Sequence, residues 1–239
     1  MYVIVFTGGA APEPELNESF FTTQMKQPVV VAADSGLDTL IKYQSYFKDK
    51  IDLSPAYILG DMDSIADRQS VNLFPRAVIE QFPCDKDFSD TELALEKAYA
   101  VKGKADKIVL VGGSGGRIDH LLALYDTFST KQHADIWLYG YQKLYFTQKG
   151  DCVTITNLEK NDIISVARAT GSRTIGSISS HGLQWEGSTF RKQGMASLSN
   201  RKKDEAENQA PVELLVKSGM FLLIVPARAA VCVSNSCGK

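Results

Sequence analysis

Short apolar runs recur through the first 140 residues, and most of them lack the polar alternation of a half-exposed strand. Segments with a helical spacing of apolar residues lie between the runs. Strands that are buried on both faces of a parallel sheet have this pattern. The runs that we expect to be strands are Val3–Phe6, Val29–Ala33, Ala56–Leu59, Ala77–Gln81, Lys107–Val111 and Ile136–Tyr139.

Three of the intervening segments predict helices. Ser89 with Glu92 three positions later forms a capping box, which predicts a helix from Asp90. The other two segments place apolar residues on one helix face: Leu37, Leu40 and Ile41 in the first, and Ile118, Leu121, Leu122, Tyr125 and Phe128 in the second. Alternating strands and helices predict a three-layer α/β domain with a mostly parallel sheet over residues 1–140.

After residue 140, short strands separated by turn residues replace the helical spacing. Leu144–Thr147 and Cys152–Ile155 flank a Lys-Gly-Asp turn and predict a hairpin. We therefore predict that residues 141–239 form an all-β sandwich, with a solvated loop at 201–210 and a frayed chain after Pro226. Further strands are expected at Ile163–Arg168, Ile175–Ser180, Met195–Ser199, Val212–Lys217 and Met220–Val225.

Charge is balanced over the whole chain but not along it. The 239 residues carry a formal net charge of −2, which gives no global attraction for nucleic acid or an anionic membrane. The segment Gly60–Glu92, however, holds eight acidic and three basic residues, a net charge of −5. An ionic function is therefore expected from this local cluster.

The four cysteines lack the spacing of a zinc site or a disulfide framework, which indicates reduced thiols and a cytoplasmic protein. The N-terminus has neither a basic region nor a long apolar stretch, so we expect no signal peptide. No apolar run is long enough to cross a bilayer.

Two acidic motifs follow predicted strands. Asp61 and Asp63 come directly after the third run, and Asp87 and Asp90 come after the fourth. Ligands of α/β sheets bind at the carboxyl ends of strands, where a divalent cation compensates crowded carboxylates and Mg²⁺ prefers such oxygens. The alternatives are a polar turn for the first pair and, for Asp90, a purely capping role.

A glycine-rich loop lies between the fifth run and the next helix. Glycines let a backbone approach a phosphate, the helix N-terminus offers free N–H groups, and Arg117 adds a cationic fork. The loop matches neither a P-loop nor the dinucleotide fingerprint, so a tight turn is the alternative, as is a surface role for His120. The segment comprises Gly113, Ser114, Gly115, Gly116, Arg117, Ile118, Asp119 and His120.

Acidic residues thus recur at four successive strand–helix junctions: Asp34, Asp61, Asp63, Asp87, Asp90 and Asp119. One carboxylate-lined crevice with a phosphate-binding loop indicates a Mg²⁺–nucleotide site. Trp185 offers a flat face on which a cationic or pyrimidine ring can stack, and a core tryptophan is the alternative.

In order and spacing, the motifs A-D-S-G, G-D-M-D-S, D-K-D-F-S-D, G-G-S-G-G-R-I-D-H, G-L-Q-W and S-L-S-N resemble the thiamine pyrophosphokinase family. The resemblance implies an α/β domain that binds ATP and Mg²⁺, a β-sandwich that helps to bind thiamine, and a homodimer with active sites at the interface. It also implies diphosphate transfer from ATP to the thiamine hydroxyl, with AMP as the second product. Departures from the family pattern are Met62, Ser114 and Arg201.

The resemblance assigns roles by position. Asp61, Asp63 and Asp90 match the metal ligands, and Asp87 and Asp119 join them as catalytic acids, one of which orients or deprotonates the thiamine hydroxyl. Trp185, Ser199 and Asn200 match thiamine-binding residues. The residues matched to nucleotide binding are Asp34, Gly113, Ser114, Gly115, Gly116, Arg117, Asp119 and His120.

Two other function classes stay open. The segment G-D-M-D-S also resembles the motif of phosphatases with an aspartyl nucleophile, although those enzymes usually carry it on their first strand. A non-catalytic nucleotide sensor is the second alternative. AMP formation from ATP and thiamine separates both from the kinase.

Overall fold

The computed structural model describes residues 1–169, 171, 175–203 and 210–235. The chain divides into two compact units, Met1–Tyr141 and Gln142–Lys239. The predicted loop at 201–210 therefore lies largely outside the described residues.

The first unit contains the six predicted strands and four helices. The strands are β1 (Tyr2–Phe6), β2 (Val29–Ala33), β3 (Tyr57–Gly60), β4 (Val78–Gln81), β5 (Lys107–Val111) and β6 (Ile136–Tyr139). The helices are α1 (Glu18–Gln24), α2 (Gly36–Phe47), α3 (Asp90–Val101) and α4 (Ile118–Asp126). The predicted α/β class is confirmed, while α1 was not foreseen.

All six strands run parallel, in the spatial order β6-β5-β1-β2-β3-β4. The chain builds β2 to β4 on one side of β1 and then places β5 on the other side. This reversal leaves a crevice outside the carboxyl ends of β1 and β5, where α/β sheets bind their ligands.

Successive residues of β1 point to opposite faces of the sheet, and Val3 to Phe6 are all buried, so both faces are covered. Helices α2 and α3 pack on β1 and β2. A Cβ at Gly36 would lie 2.2 Å from the Phe6 carbonyl oxygen, so only glycine lets α2 begin this close to the sheet. At the end of the strand order, β4 leaves Val78 and Ile79 exposed, against the prediction of a doubly buried run.

The apolar face predicted for α4 is only partly buried. Ile118 and Leu122 are exposed, and Leu124, which the predicted face did not include, is buried. Phe128, which follows the helix, is buried as predicted. A Cβ at Gly113 would lie 2.4 Å from Leu124 Cδ1, so the glycine loop and the helix are in close contact there. This contact sets the rotation of the helix and leaves two apolar side chains at its surface.

The second unit forms two antiparallel sheets, in the orders β11-β9-β13-β7 and β10-β12-β8-β14. Alternate residues of β8 and β12 are buried, as in strands that pack one face on a core. The strands are β7 (Gln142–Gln148), β8 (Cys152–Thr156), β9 (Ile164–Arg168), β10 (Ser177–His181), β11 (Ser197–Asn200), β12 (Val212–Ser218), β13 (Met220–Pro226) and β14 (Ala230–Ser234).

Two expectations for this unit are wrong. β7 and β8 do not form a hairpin, because β7 pairs with β13 and β8 pairs with β12 and β14. The turn between them is bonded instead to β12. The Gly150 N–H donates to the Val216 carbonyl, and the Val216 N–H donates to the Asp151 carbonyl, at 2.9 Å each. Within the described residues, the chain after Pro226 forms β14, which pairs along β8, rather than fraying; residues 236–239 lie outside the described part.

Cys84 and Cys232 are free thiols, whereas Cys152 is disulfide-bonded, contrary to the expectation of reduced thiols throughout. Among the described residues, every helix is too short or too polar to span a membrane.

Candidate active site

A cleft of about 930 Å³ opens in the first unit, at the carboxyl ends of its strands. The loops after β1, β2, β3, β4 and β5 and the first turns of α3 and α4 form its walls. It brings together every residue that the sequence analysis singled out in this unit: Asp34, Asp61, Asp63, Asp87, Asp90, Gly113, Ser114, Gly115, Gly116, Arg117, Asp119 and His120.

Three carboxylates meet on one wall of the cleft. Ligand oxygens of Asp34, Asp61 and Asp90, here called the acid cluster, lie within 4.8 Å of one another. Asp34 is buried, and within the described residues its Oδ1 atom has no hydrogen-bond partner. An oxygen-only group with an unsatisfied buried atom suits Mg²⁺, which prefers carboxylate oxygens.

Glycine makes this close approach possible. Gly60 adopts φ +137°, and a Cβ there would lie 3.1 Å from Asp34 Cβ and 3.2 Å from Asp90 Cγ. A larger residue would push these two acids apart. The glycine that precedes Asp61 is therefore part of the cluster's construction.

Asp63 belongs to a different group from the one expected. Its carboxylate forms a second set of potential ligands within 4.8 Å with the Asp61 carboxylate and the Cys84 Sγ atom. The Asp63 N–H donates to Asp61 Oδ1 at 3.3 Å, and Ser64 Oγ donates to Asp63 Oδ1 at 2.8 Å. Asp61 is thus shared between the two sets, with Asp34 on one side and Asp63 on the other.

Lys86 enters the acid cluster. Its Nζ atom lies 3.2 Å from Asp90 Oδ1 and 3.5 Å from Asp61 Oδ2. Burial alone raises the pKa of Asp61, but the Asp63 N–H and Lys86 outweigh it and hold that pKa below its ordinary value. Burial is also the largest influence on Asp90 and raises its pKa in spite of Lys86. A cation at this wall would keep both acids ionised.

The opposite wall consists of two glycine loops that are bonded to each other. Gly113 N–H donates to the Gly8 carbonyl at 3.0 Å. Ala10 and Ser114 exchange backbone hydrogen bonds of 2.7 and 3.0 Å, and Ser114 Oγ donates to the Ala10 carbonyl at 2.6 Å. We call residues 7–10 and 112–116 the glycine cradle, because their backbone can approach a phosphate closely.

Helix α4 begins directly after the cradle. Its N-terminal residues Arg117 and Asp119 pair with each other through contacts of 2.5 and 3.2 Å, and both are exposed. The Arg117 guanidinium lowers the pKa of Asp119 to about 2. While this pair persists, Asp119 is a weak proton acceptor. His120 lies exposed in the same turn.

Asp90 stands at the first residue of α3, and the predicted capping box is present. Ser89 Oγ accepts from the Glu92 N–H at 3.3 Å, and Glu92 Oε2 accepts from the Ser89 N–H at 2.8 Å. This box fixes the start of the helix and with it the direction of the Asp90 side chain. Asp87 is exposed and lines the cleft three residues earlier.

The predicted thiamine-side residues lie in the second unit and differ in exposure. Trp185 is 51% exposed, so it is not a core tryptophan, and Ser199 is also exposed. Asn200 is 1% exposed. Its Oδ1 accepts from the N–H groups of Trp185 and Arg201, and its Nδ2 donates to the Trp185 carbonyl at 2.7 Å. Asn200 thus holds Trp185 in place and offers no free surface itself.

Residues 22–139 match the family model described as thiamin pyrophosphokinase, catalytic domain. The chain belongs to the thiamin pyrophosphokinase family. The matched segment contains the acid cluster, Lys86 and the cradle loop after β5.

Solved thiamin pyrophosphokinases have a similar fold. The enzyme from Bacillus subtilis superposes with a TM-score of 0.66 at 18% identity, over 95% of this chain and 99% of that chain. A family protein from Enterococcus faecalis gives 0.65 at 19% identity, over 95% and 99%. The enzyme from Candida albicans gives 0.62 at 14% identity, over 94% and 90%. The search of curated proteins found no match.

Sequence reasoning missed four residues of this thiamin pyrophosphokinase cleft. Gly8 and Gly9 follow β1 directly, and a glycine pair at the strand where the sheet order reverses is the signal that could have found them. Thr7 bonds the hydroxyl of Thr91 in α3 across the cleft floor. Lys86 lies within an acidic motif, and the sequence analysis assigned it no role.

Proposed function

We propose that this chain is a thiamine diphosphokinase, which transfers a diphosphate group from ATP to the hydroxyl of thiamine and releases AMP. The observation that carries the proposal is that the acid cluster and the glycine cradle line one cleft, with the acid cluster and the second cradle loop inside the family-matched segment. One wall suits a divalent cation and the other suits the phosphates that such a cation accompanies.

The proposal assigns the two substrates to two parts of the chain. Residues 1–140 would be the three-layer domain that binds ATP and Mg²⁺, and residues 141–239 the β-sandwich that binds thiamine. A homodimer with active sites at its interface, and a cytoplasmic location, complete the proposal.

The residues present fit the metal that the family implies. Asp61 and Asp90 would hold Mg²⁺ with Asp34 beside them, and Asp63 would reach it from the other side of Asp61. When bound, the ion screens the charge of the triphosphate and stabilises the departing AMP. The protein's own part is to hold these carboxylates close together, which Gly60 permits.

The other residues position the substrates. Backbone N–H groups of the cradle and the N-terminus of α4 would bind phosphate oxygens, and Arg117 would add its guanidinium. The thiamine hydroxyl attacks the β-phosphorus, so holding the two groups in line supplies much of the rate. Arg117 lowers the pKa of Asp119 and so makes it a weak proton acceptor, and we therefore assign Asp87 as the cleft acid that takes the hydroxyl proton. Trp185 would stack on a thiamine ring.

The test is to incubate the protein with ATP, Mg²⁺ and thiamine and to quantify AMP and thiamine diphosphate. Equal amounts of both products support the proposal. ADP with thiamine monophosphate would show transfer of a single phosphoryl group, and ATP binding without turnover would favour the sensor. A phospho-enzyme on Asp61, formed from a simple phosphomonoester, would favour the phosphatase.

We expect Asp61→Asn and Asp63→Asn to lower kcat about a hundredfold or more, because each removes a charge that the transition state needs. Both acids are at the surface of the cleft, so thermal unfolding should change little. Asp49→Asn, the same substitution at an exposed acid outside the cleft, is the control. Near-parental AMP release by both cleft variants would refute the metal assignment.

A further inference from the structure

Lys86 does not behave as an ordinary surface lysine. It lies in the loop between β4 and α3, yet its side chain folds back into the cleft and is only 14% exposed. Its Nζ atom donates to the Pro83 carbonyl at 3.0 Å while it pairs with Asp61 and Asp90. A flexible, strongly hydrated ammonium is held here by three oxygen partners, from two loops and the first residue of α3.

The surroundings explain why it is held. Three carboxylates within 4.8 Å of one another repel unless a cation lies among them. Among the described residues, Lys86 is the basic side chain within ion-pair distance of the cluster, since Arg117 is paired with Asp119. Both of its carboxylate partners, Asp61 and Asp90, are acids that the proposed function assigns to Mg²⁺.

We infer that Lys86 is an internal counter-ion of the acid cluster that competes with the divalent cation and is displaced when the cation binds. A carboxylate oxygen that ligates Mg²⁺ at about 2.1 Å brings the dication close to any ammonium on the same oxygen. Two such positive charges repel strongly at that distance. The cation and the ammonium are therefore alternative occupants of one position.

Displacement has a consequence for nucleotide binding. The stem of Lys86 is anchored in the loop that leads to Ser89 and α3, so the freed ammonium stays within the cleft. It can then pair with phosphate oxygens of the nucleotide. Binding of the metal and binding of the triphosphate would thus be coupled through one side chain. This coupling rests on the proposed function.

The test measures Mn²⁺ binding to the nucleotide-free protein by electron paramagnetic resonance. Lys86→Met removes the competitor and should tighten Mn²⁺ binding about tenfold or more, within the usual range of coupling between two sites. Lys86→Arg keeps the charge and should stay near the parent. Lys97→Met is the control, because Lys97 pairs with Glu80 and changes the net charge equally.

The result that overturns the inference is Mn²⁺ binding to Lys86→Met that is no tighter than binding to Lys97→Met, including the absence of binding in both. Thermal unfolding in a chelator verifies that each variant is folded, and Lys86→Gln serves as a second variant. The readout uses neither ATP nor thiamine. A parent protein that makes no AMP would therefore refute the proposed function, while the competition would still stand or fall on Mn²⁺ binding.

Discussion

Two non-glycine residues, Asp34 in the cleft and Met62 beside it, adopt left-handed backbone conformations. Asp34 has φ +46° and Met62 has φ +62°. Such conformations cost roughly 1–3 kcal/mol each and persist only where the surroundings enforce them. Here the Asp34 N–H donates to the Leu59 carbonyl at 2.8 Å, which fixes the aspartate beside the strand that precedes Asp61. Backbone strain of this kind directs the Asp34 carboxylate into the acid cluster.

Burial of Lys143 makes the stability of the protein depend on pH, and this effect is independent of the cleft. It is buried on β7, and burial lowers its pKa to about 8 from the ordinary value of 10.5. Between pH 8 and 10.5 the unfolded chain binds more protons at this residue, so the lysine's contribution to stability rises with pH. Below pH 8 the charged form costs about 2–3 kcal/mol.

We expect Lys143→Met to raise the free energy of unfolding at pH 7 by about 2–3 kcal/mol. The advantage should disappear as the pH approaches 10.5. Urea denaturation at both pH values measures it, with Lys217→Met, an exposed lysine of β12, as the control. A gain that is the same at the two pH values would contradict the titration argument.

Asn200 should act on thiamine through Trp185. Asn200→Ala removes both hydrogen bonds to the Trp185 backbone, so we expect KM for thiamine to rise about tenfold, with KM for ATP unchanged. Ser197→Ala removes a different partner of Asn200 and leaves those two bonds in place. If KM for ATP rises as much as KM for thiamine, or if Ser197→Ala has the same effect, Asn200 has only a general structural role.

Among secondary-structure elements, the buried strands were predictable and the pairing was not. Continuous apolar runs such as Val29–Ala33 reveal a doubly buried strand locally. The separation of β7 from β8 depends on β13, which pairs with β7 from more than 70 positions away. The rotation of α4 likewise depends on contact with Gly113, and no local spacing encodes it.

The candidate site, too, was predictable from the sequence only in part. The residue types and their positions at strand ends were predictable, because carboxyl ends of parallel strands meet at one edge. The grouping of Asp34 with Asp61 and Asp90 depends on backbone angles at Gly60 and Asp34, which the sequence does not show. Burial of Asn200 depends on how a bulge in β11 presents it.

The capping box of α3 should contribute measurably to the free energy of unfolding. Ser89→Ala removes the hydroxyl that accepts the Glu92 N–H, and we expect a loss of about 1 kcal/mol in the free energy of unfolding. Ser89→Thr keeps a hydroxyl and should lose less than half of that. Equal stability of the alanine and threonine variants in urea denaturation would show that the hydroxyl is not the stabilising group.

At the scale of the whole molecule, the proposed dimer predicts complementation. If each active site combines the acid cluster of one subunit with Trp185 of another, co-expressed Asp61→Asn and Trp185→Ala chains should recover about one quarter of parental activity. Random pairing makes half of the dimers mixed, and each mixed dimer has one intact site. AMP release measures the recovery.

The matched control is a mixture of Asp61→Asn with Asp90→Asn, whose defects lie in the same wall of the cleft. Dimers formed from this pair should have no activity, whichever subunits contribute to each site. Activity in neither mixture would place each site within a single chain and contradict the interface proposal.

The bonds between Ala10 and Ser114 join residues that are 104 positions apart. During synthesis, the acid cluster is complete once Asp90 has left the ribosome, but the first half of the cradle has no partner until β5 emerges. Until then, β1 also has an open edge, which is the kind of surface that draws nascent chains into aggregates. Assembly of the glycine cradle and protection of the central strand are thus the same event, which follows completion of the acid cluster during synthesis of each chain.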